Sequence, residues 1–542
     1  MKAICQTGSF EAFSMYNAIY VDKTELIYSL VSLPNRIFIS RPRRFGKSLT
    51  LDTIATLFET GVEPYFKGTW IYDKWTEPTY PVLRLNFLNF DKNSLEKFNN
   101  KLNSKITEFA ELNQVTTYKE KEEAEDSIDH LLEQLRLEGR QIVILIDEYD
   151  CQMTANINNE TLYKQFQEKI KSFYANIKDK FAIKFLGITG VTRLKDVSIF
   201  SVGSDINDIT NASAYSQMIG FTRDEIKKYY IDYLKLAASY ENNCSVGDVT
   251  DTQLESMLDM MAQNYDGYCF DEDYEKKVFS TWSVNKFFQT MIEKKKVQFG
   301  EYWYDNGGLP SILVNYLKTH ELNIFEYLDK DKFLKVSSDD FKNPTALTTI
   351  NQNVLMCQTG YLTLRSDLNK TSTVALGIPN GEIYKALNRL LANNIFKGNT
   401  DITDDYGRSL LEVGTVDDII NLFNSALNSV SYDNYPIVSE SSVQNMLKLY
   451  LLGAHQEVLS EVHEAKGRAD LVVNTDNRRI VFEFKYAKNE AEAKSKLSEA
   501  VEQIKTRDYG NILPKKNELI RIAAVFNADP KVRAFTENQI VP

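Results

Sequence analysis

The hydrophobic positions of the chain fall into short apolar runs separated by longer amphipathic stretches. RIFIS (36–40), VLRLNF (82–87), IVILIDEYD (142–150) and FAIKFLGITG (181–190) carry apolar runs without strict alternation, which predicts strands covered on both faces of a parallel sheet. Helical patterns separate them: LTLDTIATLFE after the first run, and EKEEAEDSIDHLLEQLRLEG (120–139) before the third. The expectation is an α/β fold, a parallel sheet with helices on both faces. From about 221 to 430 the pattern is mostly helical, with aromatic-rich YDGYCF (265–270) and EYWYDNGGLP (301–310). The polar segment SVSYDNYPIVSE (429–440) marks a boundary. Beyond it the pattern predicts a helix (about 440–453), a strand pair GRADLVV (467–473) and RIVFEFKYA (479–487), a charged helix (about 490–507) and a last strand RIAAVF (521–526).

Strand alternation gives the second strand of that pair its chemistry. Ile480, Phe482 and Phe484 share one face, and Glu483 and Lys485 share the other with Val481. The turn formers NTDN (474–477) fold the strand carrying Asp470 back beside them. Two carboxylates and a lysine then converge at one edge. Carboxylate oxygens suit Mg²⁺, which neutralises phosphodiester charge and acidifies its bound water, and a nearby lysine orients that water or stabilises developing charge. Glu440 opens the preceding helix and adds a further acid; Gln503 lies on the following helix, facing the same edge if that helix packs across the pair. The competing reading is a half-buried hairpin with solvated charges, and the Asp470, Gly-Arg and Gln503 context weighs against it. His463 reads as a solvated strand residue.

A second constellation lies near the N-terminus. RIFIS leads through RPRRFGKS into a helix, and Gly46, Lys47 and Ser48 supply the end of a phosphate-binding loop. Lys47 would reach the β- and γ-phosphates of a nucleotide and Ser48 would ligate Mg²⁺. Arg41 stands where the first glycine of that loop is expected, and a side chain there could alter the loop or make its own phosphate contact. IVILIDEYD ends in Asp147 and Glu148, one placed for the Mg²⁺ shell and the other for polarising water. The aromatics Tyr265, Tyr268, Phe270, Tyr302, Trp303 and Tyr304 read as the core of a helical lid rather than a base-stacking surface, and EKEEAED (120–126) as a solvated helix face.

Composition narrows the metal. The five cysteines show no CxxC spacing and the four histidines no HxxxH spacing, so a catalytic ion must be held by oxygen, pointing to Mg²⁺ or Mn²⁺. The scattered cysteines, the N-terminus without a signal-peptide core and the lack of a long apolar span fit a cytoplasmic protein without a membrane partner. The formal charge is −12, but 435–542 hold 16 Lys+Arg against 15 Asp+Glu, so the acidity lies elsewhere and the C-terminal end tolerates phosphate contacts.

Glu440, Asp470, Glu483-Phe484-Lys485 and Gln503-Ile504 resemble the PD-(D/E)XK nuclease superfamily. The likeness implies a restriction-endonuclease-like α/β domain in which Asp and Glu bind metal, Lys assists water, and the helix Glu and Gln support the site. YVDKTELI, RPRRFGKSLT, LIDEYD, LGITGVTRLKDVSIFS, IGFTRDEI and YDGYCF resemble a bacterial AAA-ATPase-like family, over roughly residues 1 to 300. There the Arg at the first loop position is usual, and the likeness places Thr189 as a sensor of the γ-phosphate, with Arg193 a weaker candidate. The expected organisation is 1–220 P-loop ATPase-like, 221–300 helical and lid-like, 301–434 a helical middle region, and 435–542 nuclease-like. The expected function is an ATP-binding, Mg²⁺-dependent nuclease acting on nucleic acid, with DNA as the expected form and a homo-oligomer left open. The competing function is a nucleotide-sensing switch or scaffold that binds without cutting.

Overall fold

The computed structural model describes the chain except for positions 34, 178–179, 195–205, 304–310, 318–319, 321–323, 345, 348, 397–405, 455 and 465–466. Positions 195–201 of the quoted LGITGVTRLKDVSIFS, most of EYWYDNGGLP with Tyr304, and the side chain of His463 lie outside the described residues. The remainder divides into two compact units, residues 1–320 with 333–383, and residues 321–332 with 384–542.

The first unit is built on five parallel strands, β1 (Asn35–Ser40), β2 (Val82–Asn86), β3 (Ile142–Asp147), β4 (Ile183–Gly190) and β5 (Asn207–Asp208), in the order β2-β3-β4-β1-β5. β3 and β4 are buried at every position, as their unbroken apolar runs require. β2 is an edge strand and alternates: Leu83 and Leu85 are buried, while Arg84 faces solvent and pairs with Asp52 and Glu59 of helix α1 (Lys47–Thr60). The helices α2 (Leu95–Leu112), α3 (Ala124–Leu137) and α4 (Glu160–Ile177) pack together, α2 against β2. Parallel register aligns the carboxyl ends that matter: Ser40 pairs with Gly190, Ile39 with Thr189, and Asn86 with Asp147.

Three helices, α5 (Ile231–Asn242), α6 (Asp251–Tyr265) and α7 (Thr281–Lys294), enclose a separate core of Leu234, Met257, Leu258, Met261, Phe287 and Phe288. Thr250 and Gln253 form a capping box that fixes the start of α6. Tyr265, Tyr268 and Trp303 are fully buried, matching their reading as core. The mostly helical middle region also contains a small antiparallel sheet, β6 (Leu334–Ser337), β7 (Thr363–Leu364) and β8 (Thr373–Gly377). Its strands are too short to leave a period-2 signal in the sequence.

The second unit carries a mixed sheet in the order β13-β12-β11-β10-β9: β9 (Glu457–Glu464), β10 (Gly467–Asn474), β11 (Arg478–Ala487), β12 (Glu518–Asn527) and β13 (Ala534–Ile540). β11 and β12 are parallel and joined by the helix α10 (Glu490–Arg507); the other pairs are antiparallel. Helix α8 (Val416–Asn428) sets Phe423 against Phe482, in an aromatic row that continues through Phe484 and Phe535. That packing places α8 in the same compact unit as the C-terminal sheet, so this unit extends N-terminal to position 435. On the opposite face Ala500, Val501 and Ile504 of α10 pack with Val481 and Ala523.

Candidate functional site

The first cluster forms where β1, β3 and β4 end. Gly46, with φ of +107°, is the residue before α1, a left-handed backbone that glycine adopts without strain. Lys47 turns its amine into the loop, donating to the carbonyls of Arg41 (3.0 Å) and Pro42 (3.2 Å), 4.0 Å from Glu148 Oε1. Ser48 Oγ donates to Asp147 Oδ2 at 2.6 Å, and the Thr189 hydroxyl and the Glu148 amide donate to Oδ1. Burial holds the Glu148 carboxyl above the usual carboxylate range, Lys47 opposing and the Asp150 and Asp147 charges adding to it. The structure thus brings Lys47, Ser48, Asp147, Glu148 and Thr189 together.

Arg41 is elsewhere. Its guanidinium is buried, donates from Nη1 to the carbonyls of Ser40 and Thr210, and stacks 4.2 Å over the ring of Phe270. Nε and Nη2 have no hydrogen-bond partner among the described residues, and burial pushes its pKa down to about 9. Through these contacts the Arg41 side chain braces the loop against Thr210 and Phe270. Arg193 is paired with Asp208.

A cavity of about 550 Å³ opens from this loop. Arg43, Arg44, Lys47 and Ser48 line one side, and Ile19, Val21, Phe221, Tyr230, Trp282 and Asn285 line the other. The apolar wall was not legible as a site. Its residues come from the N-terminal segment, from 221–230 and from α7, and of the quoted motifs YVDKTELI and IGFTRDEI touch on it.

The second cluster lies on the α10 face of the C-terminal sheet. The turn is held by Thr475 N–H donating to Arg478 O (2.9 Å) and Arg478 N–H donating to Thr475 Oγ1 (2.9 Å). This sets Leu471 opposite Phe482 and Val472 opposite Val481. Asp470, the next residue of β10, lies just past that register, close enough for its charge to act on the Glu483 carboxyl. Asp470 Oδ2 accepts from Phe484 N at 2.8 Å, and Gln444 of helix α9 (Glu440–Gly453) donates to the Asp470 carbonyl. Lys485 Nζ lies 2.8 Å from Glu483 Oε1, 3.1 Å from Phe484 O and 3.4 Å from Glu440 Oε1. Gln444 was missed because a helical glutamine inside an apolar stripe carries no sequence signal of its own.

Glu483 is fully buried, yet its Oε2 has no hydrogen-bond partner among the described residues. Burial pushes its carboxyl up to about 7, the Asp470 charge adding to the rise, Lys485 opposing it and Glu440 contributing last. Burial pulls Lys485 down, but Glu483, Glu440 and Asp470 more than offset this and hold the amine above its ordinary value. Gln503 is half-buried one residue before Ile504, and no hydrogen bond joins it to Asp470, Glu483 or Lys485 among the described residues. No group of three or more His, Cys, Asp or Glu side chains is arranged for a metal among those residues. Two carboxylates remain, Asp470 and Glu483, and Mg²⁺ is commonly held by one or two carboxylates with water and substrate phosphate completing its shell. The partnerless buried oxygen of Glu483 fits such an ion.

No described helix is long and apolar enough to cross a membrane. A protein of Azotobacter chroococcum mcd 1, described as an uncharacterized protein in the vnfD 5′ region, is 26% identical over 529 residues, covering 94% of this chain and 93% of its own. Among solved structures, Cdc6p from Pyrobaculum aerophilum (10% identity, 68% of this chain and 92% of that chain, TM-score 0.25) is similar. So is the Aeropyrum pernix ORC1 protein in complex with DNA (9% identity, 67% and 91%, TM-score 0.27). Both scores are too low to inform the fold. Residues 5–200 match the model of the predicted AAA-ATPase family and residues 438–536 that of the PD-(D/E)XK nuclease superfamily. The chain therefore joins an AAA-ATPase-like region to a C-terminal domain of the PD-(D/E)XK nuclease superfamily.

Proposed function

We propose that the chain is an ATP-binding nuclease that cleaves the phosphodiester backbone of DNA with Mg²⁺ or Mn²⁺, its activity set by the nucleotide state of the N-terminal region. The observation that carries the reading is Glu483: a fully buried carboxylate with one oxygen partnerless among the described residues, within reach of the Asp470 charge and 2.8 Å from Lys485. A buried carboxylate oxygen without a partner is costly, and a metal ion at that oxygen relieves the cost. Asp470 and Glu483 would hold the ion, which when bound supplies charge neutralisation at the phosphate and acidifies water in its shell. Lys485 supplies a fixed positive charge beside them, placed to orient the attacking water or to stabilise charge developing on phosphate oxygens. Glu440 holds the lysine amine from the α9 side.

In the first unit, Lys47 and Gly46 would cradle the phosphates at the start of α1, where the backbone N–H groups and the helix dipole favour an anion. Ser48 and Asp147 would hold Mg²⁺, and Thr189 lies on the same carboxylate to register the γ-phosphate. Purified protein incubated with plasmid and single-stranded DNA, with Mg²⁺ or Mn²⁺ and with or without ATP, tests the reading. Cleavage that needs the metal and vanishes in Glu483→Gln supports it; no cleavage of any substrate under these conditions rejects it.

A further inference from the structure

The aromatic face of the C-terminal sheet runs on into a cavity of about 220 Å³. Tyr432, Tyr435, Tyr486, Phe526 and Arg533 line it, with Val438 beside them. The rings of Tyr486 and Phe526 are stacked at 6.4 Å and 23°, and the Arg533 guanidinium lies 3.3 Å from the centroid of Tyr432. Tyr432 is 49% exposed and Val438 63%, so the cavity is open to a ligand from outside.

Its position ties it to the carboxylate–lysine cluster by two short routes. Tyr486 directly follows Lys485 on β11, on the opposite face of the same strand. From Val438 the chain reaches Glu440 two residues later, and Glu440 Oε1 is 3.4 Å from Lys485 Nζ. The cavity and the cluster therefore share β11 and the approach to α9.

The lining says what would fit. The half-exposed Tyr432 ring, with the Arg533 guanidinium against it, offers a stacking surface that takes a planar base of any identity. The volume falls below the roughly 300 Å³ at which drug-sized pockets begin, which suits one ring system rather than a whole nucleotide. Stacking on these rings needs a base free of its partner strand, since a paired base presents only its edges in a groove.

We propose that this cavity holds an unpaired nucleobase of a single-stranded nucleic acid whose backbone passes to the Asp470–Glu483–Lys485 cluster. The inference rests on the nuclease reading for that cluster and extends it: the preferred substrate is a single strand or an unpaired end rather than an intact duplex.

The test uses the full-length protein in EDTA, where binding is read without cleavage, and a single-stranded oligonucleotide carrying 2-aminopurine. Binding should quench the fluorescent base. Tyr432→Ala and Val438→Asp, both at exposed positions, should abolish quenching and weaken binding about 5- to 100-fold, the range that loss of one stacked base brings. Tyr432→Phe should keep both. Equal affinity and equal quenching in the parent, Tyr432→Ala and Val438→Asp overturn the proposal, as does a Tyr432→Phe loss as large as that of Tyr432→Ala. Parent protein that quenches but never cuts with Mg²⁺ or Mn²⁺ retains the base site and rejects the nuclease reading. Parent protein that cuts without quenching does the reverse.

Discussion

Ser48 Oγ donates to Asp147 Oδ2 at 2.6 Å, a contact that ties the first turn of α1 to the end of β3 across 99 positions of the chain. The same carboxylate receives the Thr189 hydroxyl and the Glu148 amide, so three chain segments meet on one side chain. Beside it Lys47 rests on two loop carbonyls rather than on a carboxylate at close range. A phosphate entering the loop would replace neutral acceptors with a charged one, adding charge–charge attraction to hydrogen bonds the ammonium already makes. Lys47→Ala should therefore weaken ATP·Mg²⁺ binding by at least about tenfold, or 1.4 kcal/mol. Calorimetric titration of the two proteins checks this, and indistinguishable affinities would reject the loop as the nucleotide site.

Arg41 makes a different prediction. It bonds to Thr210 O, stacks on Phe270 and is enclosed, so its role is to hold the loop rather than the ligand. Arg41→Ala should cost about 2–4 kcal/mol of stability, through a vacated buried volume and an unsatisfied carbonyl. Arg41→Lys should recover little, because an ammonium neither stacks flat nor forks to two carbonyls. Denaturant melts report the loss. A variant with unchanged stability and abolished nucleotide binding would return Arg41 to the phosphate.

Control by nucleotide is measurable in a single series. The proposed regulation requires that ATP and ADP favour different arrangements of the chain, since a ligand shifts an equilibrium only by its differential affinity for the two states. Initial cleavage rates with no nucleotide, ADP, ATP and a non-hydrolysable analogue should differ by severalfold. The differences should disappear in Lys47→Ala. Four equal rates in the parent would remove regulation from the proposed function.

The elements legible in the sequence were those whose hydrophobic pattern is strong by itself. β3 and β4 are buried at every position and read as strands at once. RIVFEFKYA placed Glu483 and Lys485 on one face because alternation admits no other arrangement. What stayed hidden depends on distant partners. β13 is short, polar and at an edge, with one buried residue in seven, so nothing local marks it. Gln444 acts only because α9 crosses Asp470, and Phe423 belongs with the C-terminal sheet only because Phe482 lies opposite it. The contacts of Arg41 were hidden for the same reason: its place in the loop pattern is local, whereas the direction of its side chain is decided by packing around Thr210 and Phe270.

The sharpest prediction concerns the carboxylate–lysine cluster. Glu483 is buried with one oxygen unpartnered, beside the charges of Asp470 and Glu440. With no metal ion bound, burial and the neighbouring carboxylates outweigh the Lys485 contact and hold the Glu483 carboxyl up, so Glu483→Gln should abolish cleavage and yet raise the melting temperature in EDTA. The amide keeps an oxygen for Lys485 while removing the charge, so packing is preserved. Mg²⁺ or Mn²⁺ should stabilise the parent according to its mass-action binding and leave Glu483→Gln unmoved. Lys485→Ala should behave oppositely: it removes the cation that opposes the carboxylates, so the metal-dependent melting shift should persist while the rate falls by about 10²- to 10³-fold, the loss typical of one electrostatic stabiliser. Melts with and without metal, run beside a cleavage assay, separate the two roles. A metal shift of equal size in the parent and in Glu483→Gln would show that the ion sits elsewhere, and Glu483 would then be a structural partner of Lys485 alone.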